Sequence, residues 1–223
     1  MKNALVFGAT GLVGSLLLRE LLADPAYGRV IAVVRKRPAI DDPRLEVVLA
    51  DLATLPAVAA RLVADDVFIA LGTTRDKTPD RAEYHRIDHD YPVLAARLAK
   101  ANGATTVCLV SAVGADAASK IFYVRTKGEA ERDVAALGYA HTHIFRPSQL
   151  LGDRAERRPL ERVLMAVWPA LGALLPARLE IYRGIAAADV ARAMHAAAAQ
   201  PAGKLTIHHW REMTALARRD NAR

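Results

Sequence analysis

Apolar runs of strand length alternate with amphipathic stretches of helix length up to about residue 147. The strand-like runs at 30–34 and 67–71 are continuously apolar rather than apolar at every second position. Such runs are typical of parallel strands that are buried on both faces of a sheet. We predict strands at residues 3–8, 29–34, 45–50, 66–71, 105–110 and 141–146, and helices at 12–23, 80–101, 121–137 and, shorter, near 56–64.

The pattern becomes largely helical after residue 147. It predicts a helix at 156–174, another at 187–199, a short strand at 205–208 and a terminal helix from about Arg211. Strands that alternate with helices indicate βαβ units with right-handed crossovers. The sequence therefore predicts an α/β fold in which a single domain, residues 1–223, contains a doubly wound, mostly parallel sheet.

The first predicted strand leads into a glycine-rich turn, Gly8-Ala9-Thr10-Gly11-Leu12-Val13-Gly14, and then into a helix. In dinucleotide-binding folds the first glycine permits the turn, the second lets the backbone approach the pyrophosphate, and the third lets the helix pack on the strand. The helix start offers N–H groups and a positive dipole end to phosphate. A glycine turn can be purely structural, but this context predicts an NAD(P)-binding Rossmann fold that holds its cofactor through residues 8–13.

The end of the second strand, Val34-Arg35-Lys36-Arg37, bears on the choice of cofactor. A carboxylate at this position binds the ribose 2′-hydroxyl of NAD, whereas an arginine accommodates the 2′-phosphate of NADP. No carboxylate follows until Asp41. We therefore predict NADP(H) in preference to NAD(H), with Arg35 as the first phosphate ligand and Arg37 as the second. The alternative is a solvated basic turn.

Two further strand ends offer cofactor contacts. After the third strand, the Asp51 carboxylate can accept a hydrogen bond from the adenine amino group and Leu52 can pack on the ring. Asp51 can equally cap the helical segment that follows it. After the fourth strand, Leu71-Gly72-Thr73 provides small residues that let the backbone lie along the cofactor ribose.

Ser111 ends the fifth strand, and the helix that follows carries Tyr123 and Lys127. Residues at i and i+4 share one face of a helix. A nearby ammonium and an oxidised nicotinamide both favour the phenolate of a tyrosine, whose pKa is otherwise near 10. Tyr123 can then exchange a proton with a carbonyl or alcohol substrate, Ser111 can hold the same oxygen, and Lys127 can also bind ribose hydroxyls. A surface helix pair is the alternative.

Five motifs together resemble the extended and atypical short-chain dehydrogenase/reductase superfamily, and within it the Tat-interacting-protein-like oxidoreductases and their small bacterial relatives. In chain order they are Gly8-Ala9-Thr10-Gly11-Leu12-Val13-Gly14, Ala70-Leu71-Gly72-Thr73-Thr74, Ser111-Ala112-Val113-Gly114-Ala115-Asp116, Tyr123-x-x-x-Lys127-Gly128-Glu129 and Phe145-Arg146-Pro147-Ser148. The resemblance implies an NADP-binding core with Ser111, Tyr123 and Lys127 in the catalytic positions. It also implies that Arg146, Pro147 and Ser148 lie beside the nicotinamide.

One residue departs from that pattern. The extended enzymes often carry an asparagine in the helix after the fourth strand, where Ile87-Asp88-His89 places Asp88. A proton relay through that asparagine would be altered or absent here. Some atypical members bind NADP and act as regulators with little turnover. The resemblance thus implies an NADP(H)-dependent oxidoreductase and leaves open, as the alternative, a redox-sensing regulator that acts through a protein partner.

The late helical region is expected to select the substrate. Ligands of doubly wound folds lie outside the carboxyl ends of the strands, and residues 148–185 follow the sixth strand as an insertion. We predict that this C-terminal helical region covers a small carbonyl or alcohol substrate.

Composition and charge narrow the partners and the location. The net charge of +7 is spread along the chain without a long basic arm, so nucleic acid is not an expected partner. The uncharged stretch at 163–177 is too short to span a bilayer. Because no signal segment precedes the first strand, we expect a cytoplasmic protein, either a monomer or a homodimer.

Of the seven histidines, His85 and His89 lie on one predicted helix, and His208 and His209 are adjacent near the end of the chain. A metal site would need a third ligand and convergent geometry. Because neither is visible in the sequence, we predict no metal.

Overall fold

The computed structural model describes residues 1–74, 76–152, 177–200 and 203–220. The strands within these ranges are β1 (Lys2–Phe7), β2 (Tyr27–Val34), β3 (Leu45–Leu49), β4 (Asp66–Ile69), β5 (Thr106–Val110), β6 (His141–Phe145), β7 (Leu150–Leu151), β8 (Ile185–Ala186) and β9 (Leu205–His208). The α-helices are α1 (Leu12–Ala23), α2 (Arg81–His85), α3 (Tyr91–Ala101), α4 (Phe122–Ala136), α5 (Ala187–Ala198) and α6 (Trp210–Asp220).

Seven of these strands form one parallel sheet in the order β3-β2-β1-β4-β5-β6-β9. The order reverses between β1 and β4, where Phe7 lies in register with Val33 on one side and Ile69 on the other. In open α/β sheets ligands bind outside the carboxyl ends of the strands at such a reversal. The predicted α/β class and doubly wound parallel sheet are confirmed, and the glycine-rich turn lies at the reversal.

The core occupies both faces of the sheet. On one face α1, α5 and α6 pack against the strands through Leu17, Val190 and Met213. On the other face α3 and a 3₁₀ helix (Leu55–Arg61) pack through Ala96 and Leu55. Burial on both faces explains why the central strands β2, β4 and β5 are largely apolar in the sequence.

Several elements differ from the predicted ones. The single helix predicted at 80–101 is instead α2, a π-helical turn (Arg86–Asp90) and α3. The π-helical turn widens the helix at buried Asp88, and Pro92 lies in the first turn of α3, where the missing N–H of proline is tolerated. The helix predicted near 56–64 is the 3₁₀ helix.

Three of the predicted segments lie wholly or partly outside the residues that the structure describes. The predicted helix at 156–174 lies outside the described residues, as do all but the last residue of the uncharged stretch at 163–177 and the central part of 148–185. Over the residues that are described, none of the helices combines the length and apolar character that crossing a membrane requires.

A buried histidine pair joins β6 to β9. His143 Nδ1 lies 3.0 Å from His208 Nε2, and the His208 ring stacks on Phe145 with centroids 4.7 Å apart. Burial lowers the pKa of His143 and of His208 to about 4, since a charged imidazole loses its hydration there. Both rings are therefore neutral at neutral pH.

We predict that acid weakens the fold through this pair. Both pKa values are depressed on folding, so below about pH 6.5 the unfolded chain binds more protons and stability falls as the pH drops towards about 4. Protonating one ring would remove about 3 kcal/mol of the free energy of unfolding. Urea unfolding across this range should show a smaller loss in the double variant His143→Asn, His208→Asn. Equal losses in the two proteins would contradict the prediction.

Candidate functional site

The turn between β1 and α1 has no room for side chains at two of its glycines. Gly8 has a φ of +82°, and a Cβ atom there would lie 2.5 Å from the Ala70 carbonyl oxygen. A Cβ atom at Gly14 would lie 2.1 Å from the Gly8 carbonyl oxygen. Glycine is required at position 8 by its positive φ and by the close contact with Ala70, and at position 14 by the close contact with Gly8 alone. The turn, the strand and the helix therefore pack at the spacing of a dinucleotide-binding loop.

The start of α1 is suited to an anion. Gly11 precedes the helix with extended backbone, no side chain caps the helix, and no acidic residue lies in its first turn. Gly11 N–H donates to Gly8 O at 2.9 Å, Ala9 and Val13 are buried, and Thr10 is exposed. The first N–H groups of a helix and its positive dipole end attract phosphate. A pyrophosphate group fits this cradle.

The basic residues after β2 are available for a ligand. Arg35, Lys36 and Arg37 are exposed and make no hydrogen bond or ion pair with any described residue. Burial and, to a lesser extent, Asp51 raise the pKa of Tyr91 to about 12. Arg35 lies close enough to Tyr91 to oppose this rise. Arg35 and Asp51 thus approach the same tyrosine from adjacent strand ends.

Asp51 serves the turn that follows β3. Its Oδ1 accepts hydrogen bonds from Ala53 N–H at 3.0 Å, Thr54 N–H at 2.9 Å and the Thr54 hydroxyl at 2.8 Å. The Thr54 N–H bond is the main reason that the pKa of Asp51 is lowered. Asp51 Oδ1 is thus engaged in the turn that precedes the 3₁₀ helix, whose N-cap residue is Thr54. The contact of Asp51 with an adenine stays a prediction. Leu52, beside it, is half-buried.

A buried ion pair lies behind the segment that follows β4. Lys127 Nζ is 2.6 Å from Asp88 Oδ1, and both side chains are at most 8% exposed. The contact is an ion pair whose angles do not suit a hydrogen bond. Asp88 Oδ2 accepts a hydrogen bond from Thr73 N–H at 2.9 Å. A Cβ atom at Gly72 would lie 3.6 Å from Lys127 Nζ. The residues from Leu71 to Thr73 are thereby fixed against α4 and the π-helical turn.

Tyr123 lies in the first turn of α4 and remains 43% exposed. Its ring meets Tyr84 edge-on with centroids 6.4 Å apart, and the Tyr84 hydroxyl donates to Thr73 O at 3.4 Å. The pKa of Tyr123 is raised, chiefly by partial burial, while Lys127 lowers it and Asp88 raises it. The effect of Lys127 has the expected direction, but burial and, to a smaller extent, Asp88 outweigh it.

Ser111 follows β5, and its buried hydroxyl makes no hydrogen bond with any residue that the structure describes. Its N–H donates to Phe145 O at 2.7 Å. The same loop packs on α4, because a Cβ atom at Gly128 would lie 2.2 Å from Ala117 N. An unpaired buried hydroxyl is costly, and Ser111 Oγ therefore offers a hydrogen bond to a bound ligand.

The segment after β6 is only partly as expected. The Arg146 guanidinium points to α4, where Nε lies 3.0 Å and Nη2 2.5 Å from the carboxylate of buried Glu131. The side chain of Arg146 is therefore committed to a structural ion pair rather than to a cofactor. Pro147 O accepts from Val113 N–H at 2.9 Å, and the Ser148 hydroxyl donates to Arg183 O at 2.6 Å.

The structure thus brings Gly72, Thr73, Asp88, Tyr123 and Lys127 together with one residue that the sequence analysis missed, Tyr84. The signal for Tyr84 was its position four residues before Asp88, which puts both on one helical face. A second missed feature is the convergence of His85, His89 and Asp90 on the same helical segment.

The sequence model of a protein family described as NAD(P)H-binding matches residues 8–201. Among curated relatives, "Protein FMP52, mitochondrial" of Candida glabrata is 38% identical over 156 residues, which are 70% of this chain and 66% of the relative. "Protein fmp52, mitochondrial" of Emericella nidulans is 36% identical over 179 residues, 77% of each chain. These names overturn the expected cytoplasmic location, which rested only on the lack of a visible signal segment.

Solved structures of proteins with bound NAD share the fold. MoeE5 in complex with UDP-glucose and NAD has a TM-score of 0.69 at 20% identity, covering 97% of this chain and 81% of that one. WbmH of Bordetella bronchiseptica in complex with NAD+ has a TM-score of 0.71 at 18% identity, covering 94% and 75%. The fold is the Rossmann fold, and the chain belongs to the NAD(P)H-binding family.

Proposed function

We propose that this protein is an NADP(H)-dependent oxidoreductase that reduces a small carbonyl compound to an alcohol. The observation that carries the proposal is the unpartnered buried hydroxyl of Ser111 on the loop that packs against the helix of Tyr123 and Lys127. The resemblance of this chain's motifs to those of the Tat-interacting-protein-like oxidoreductases supports the assignment of these three residues as catalytic.

The cofactor would lie along the carboxyl ends of β2, β1, β4, β5 and β6. Each part of it meets residues with suitable chemistry. We assign the pyrophosphate to Gly8, Ala9, Thr10, Gly11, Leu12 and Val13. The 2′-phosphate is assigned to Arg35 and Arg37, and the adenine to Asp51 Oδ2 and Leu52. The riboses are assigned to Leu71, Gly72, Thr73 and Lys127, and the nicotinamide to Pro147 and Ser148. When bound, NADPH supplies the hydride.

Tyr123 serves as the proton donor in this proposal. Its phenol is protonated at neutral pH, since its pKa lies above the usual value near 10, and can donate its proton to the carbonyl oxygen as the hydride arrives. Ser111 Oγ donates a second hydrogen bond to the same oxygen. Lys127 is held in place by Asp88, and its charge favours the phenolate that forms once the proton has left.

The pairing of Lys127 with Asp88 also favours a second candidate function. Because the carboxylate offsets the lysine charge that Tyr123 experiences, the triad is less activated than an unpaired lysine would make it. A redox-sensing regulator that binds NADP(H) and acts through a protein partner needs the cofactor site but not a low phenol pKa.

One assay separates the two functions. The protein is mixed with stoichiometric NADPH and a panel of small aldehydes and ketones, and NADPH oxidation is followed in a single turnover. Cofactor affinity is measured separately by fluorescence. Carbonyl-dependent oxidation supports the reductase. Tight NADPH binding without oxidation by any compound of the panel would instead support the regulator.

Arg35→Ala should weaken selectivity for the phosphorylated cofactor. We expect the dissociation constant for NADPH to rise by about tenfold or more, because a charge-assisted bond to phosphate contributes about 1.5–3 kcal/mol, while that for NADH stays nearly unchanged. Titration of both cofactors measures the effect. Arg19→Ala removes an equally exposed charge on α1 and is the control. Equal weakening of NADH and NADPH binding by Arg35→Ala would contradict the assignment.

Residues 148–185 are proposed as the substrate-covering insertion of the single domain 1–223. The two described ends of this segment meet, since Ile185 N–H donates to Gln149 O at 3.0 Å and β7 pairs with β8. The segment therefore leaves and re-enters the fold at one place, beside the carboxyl end of β6. Exchanging 153–176 for the equivalent segment of a relative should change carbonyl preference while NADPH affinity is retained. Unchanged preference would count against the assignment.

A further inference from the structure

A cluster of histidines and carboxylates lies on the solvent-facing side of the turn that carries Asp88. His85 Nδ1 is 3.2 Å and His89 Nδ1 is 2.7 Å from the same oxygen, Asp90 Oδ1. The two imidazole rings lie with centroids 4.5 Å apart. One donor atom from each of the three residues lies within 4.8 Å of the other two. Three potential metal ligands therefore converge on one point.

The other nitrogen of each imidazole faces a carboxylate from α4. His89 Nε2 is 2.9 Å from Asp133 Oδ2, and His85 Nε2 is 3.4 Å from Glu129 Oε2. A metal-bound histidine typically donates its second N–H to a carboxylate, which fixes the tautomer and makes the ligating nitrogen more basic. In this cluster His89 has that support from Asp133, and the Glu129 carboxylate lies near enough to His85 Nε2 to supply it after a small adjustment. Both histidines can direct Nδ1 towards the shared point.

The spacing and accessibility suit a divalent transition metal. A tetrahedral zinc ion with bonds of about 2.0 Å has donor atoms about 3.3 Å apart, so small side-chain adjustments around Asp90 suffice. The side chains of His85, His89 and Asp90 are all partly exposed. A surface pocket lies beside His89 and Asp90 and extends to Arg97. Water can therefore complete the coordination.

We infer that His85, His89 and Asp90 form a binding site for a zinc-class divalent cation, with Glu129 and Asp133 as the carboxylates that orient the two histidines. This revises the expectation of no metal. The third ligand, Asp90, adjoins His89 in sequence, and only the π-helical turn brings its carboxylate between the two rings. The site is separate from the buried face of the same turn, where Asp88 meets Lys127.

Calorimetric titration of the untagged, chelator-treated full chain with Zn²⁺ tests the site, with Mg²⁺ as the hard-cation comparison. We expect saturable binding of one Zn²⁺ per chain and none of Mg²⁺, since two imidazoles are poor ligands for Mg²⁺. Replacing Zn²⁺ by Co²⁺ should give the visible absorption of a tetrahedral site. Neither readout depends on cofactor or turnover.

Variants assign the binding to these residues. His85→Ala and His89→Ala should each abolish saturable binding, and Asp133→Asn should weaken it about 10- to 100-fold. His141→Ala, at the start of β6, is the control and should bind as the unaltered protein does. Circular dichroism of the metal-free variants checks folding. If either alanine variant fails to fold, the Zn²⁺ affinity of Asp133→Asn tests the assignment instead. Absence of saturable Zn²⁺ binding, or equal binding by the cluster variants and the unaltered chain, would overturn the inference.

Discussion

Replacing Tyr123 with phenylalanine should lower the single-turnover rate of NADPH oxidation by about 10²- to 10⁴-fold, the usual contribution of a positioned general acid. The phenyl ring keeps its edge-on contact with Tyr84, so the first turn of α4 retains its packing. NADPH affinity should change little, because the pyrophosphate cradle and Arg35 are untouched. The loss therefore reports proton donation rather than cofactor binding.

Tyr139→Phe is the matched control for this variant. The Tyr139 hydroxyl donates to Ala96 O at 2.6 Å within the core. Its removal should cost about 1 kcal/mol of stability and leave the rate per folded molecule unchanged. A Tyr123→Phe protein that oxidises NADPH as fast as the unaltered chain would exclude Tyr123 as the proton donor.

Replacing Asp88 with alanine should lower the free energy of unfolding by about 3–5 kcal/mol, because it leaves the buried Lys127 ammonium without its partner. Thr73 N–H also loses its acceptor, which loosens the segment after β4. Urea denaturation followed by circular dichroism measures the change. NADPH affinity should fall as well, since Gly72 and Thr73 line the proposed ribose site.

Two variants show whether the loss comes from the buried pair. Asp88→Asn keeps an acceptor for Thr73 N–H but removes the charge, so its loss of stability should lie between those of Asp88→Ala and the unaltered chain. Glu46→Ala removes a partly exposed carboxylate that pairs with Arg29 and Arg61 and should cost only about 0.2–1 kcal/mol per pair. A loss for Asp88→Ala no larger than that for Glu46→Ala would contradict this account of the pair.

The parts of the fold that depend on local sequence were predictable. α1 begins and ends as predicted at 12–23, because the glycine turn fixes its start and the apolar spacing fixes its buried face. The strands of the seven-stranded sheet were predictable to within a few residues, most readily β1, β2, β4 and β5, which are largely apolar because both faces of the sheet are covered there.

Features that depend on distant residues were not predictable. The π-helical turn exists where Asp88 meets Lys127, a residue on a helix much later in the chain. Arg146 follows a conspicuous strand end, yet its side chain pairs with Glu131 of α4. Sequence periodicity identifies the buried face of an element, but it does not identify the charged partner that a neighbouring element presents.

The most direct measurement of the proposed function follows the hydride itself. The protein is incubated with NADPH deuterated on either face of nicotinamide C4 and with a carbonyl compound selected from the panel, and the alcohol is analysed by mass spectrometry. The proposed reductase transfers deuterium from one face to the carbinol carbon, and the transfer is about 10²- to 10⁴-fold slower in Tyr123→Phe. An alcohol without deuterium from either face, or no alcohol from any carbonyl compound despite saturating NADPH, would contradict it.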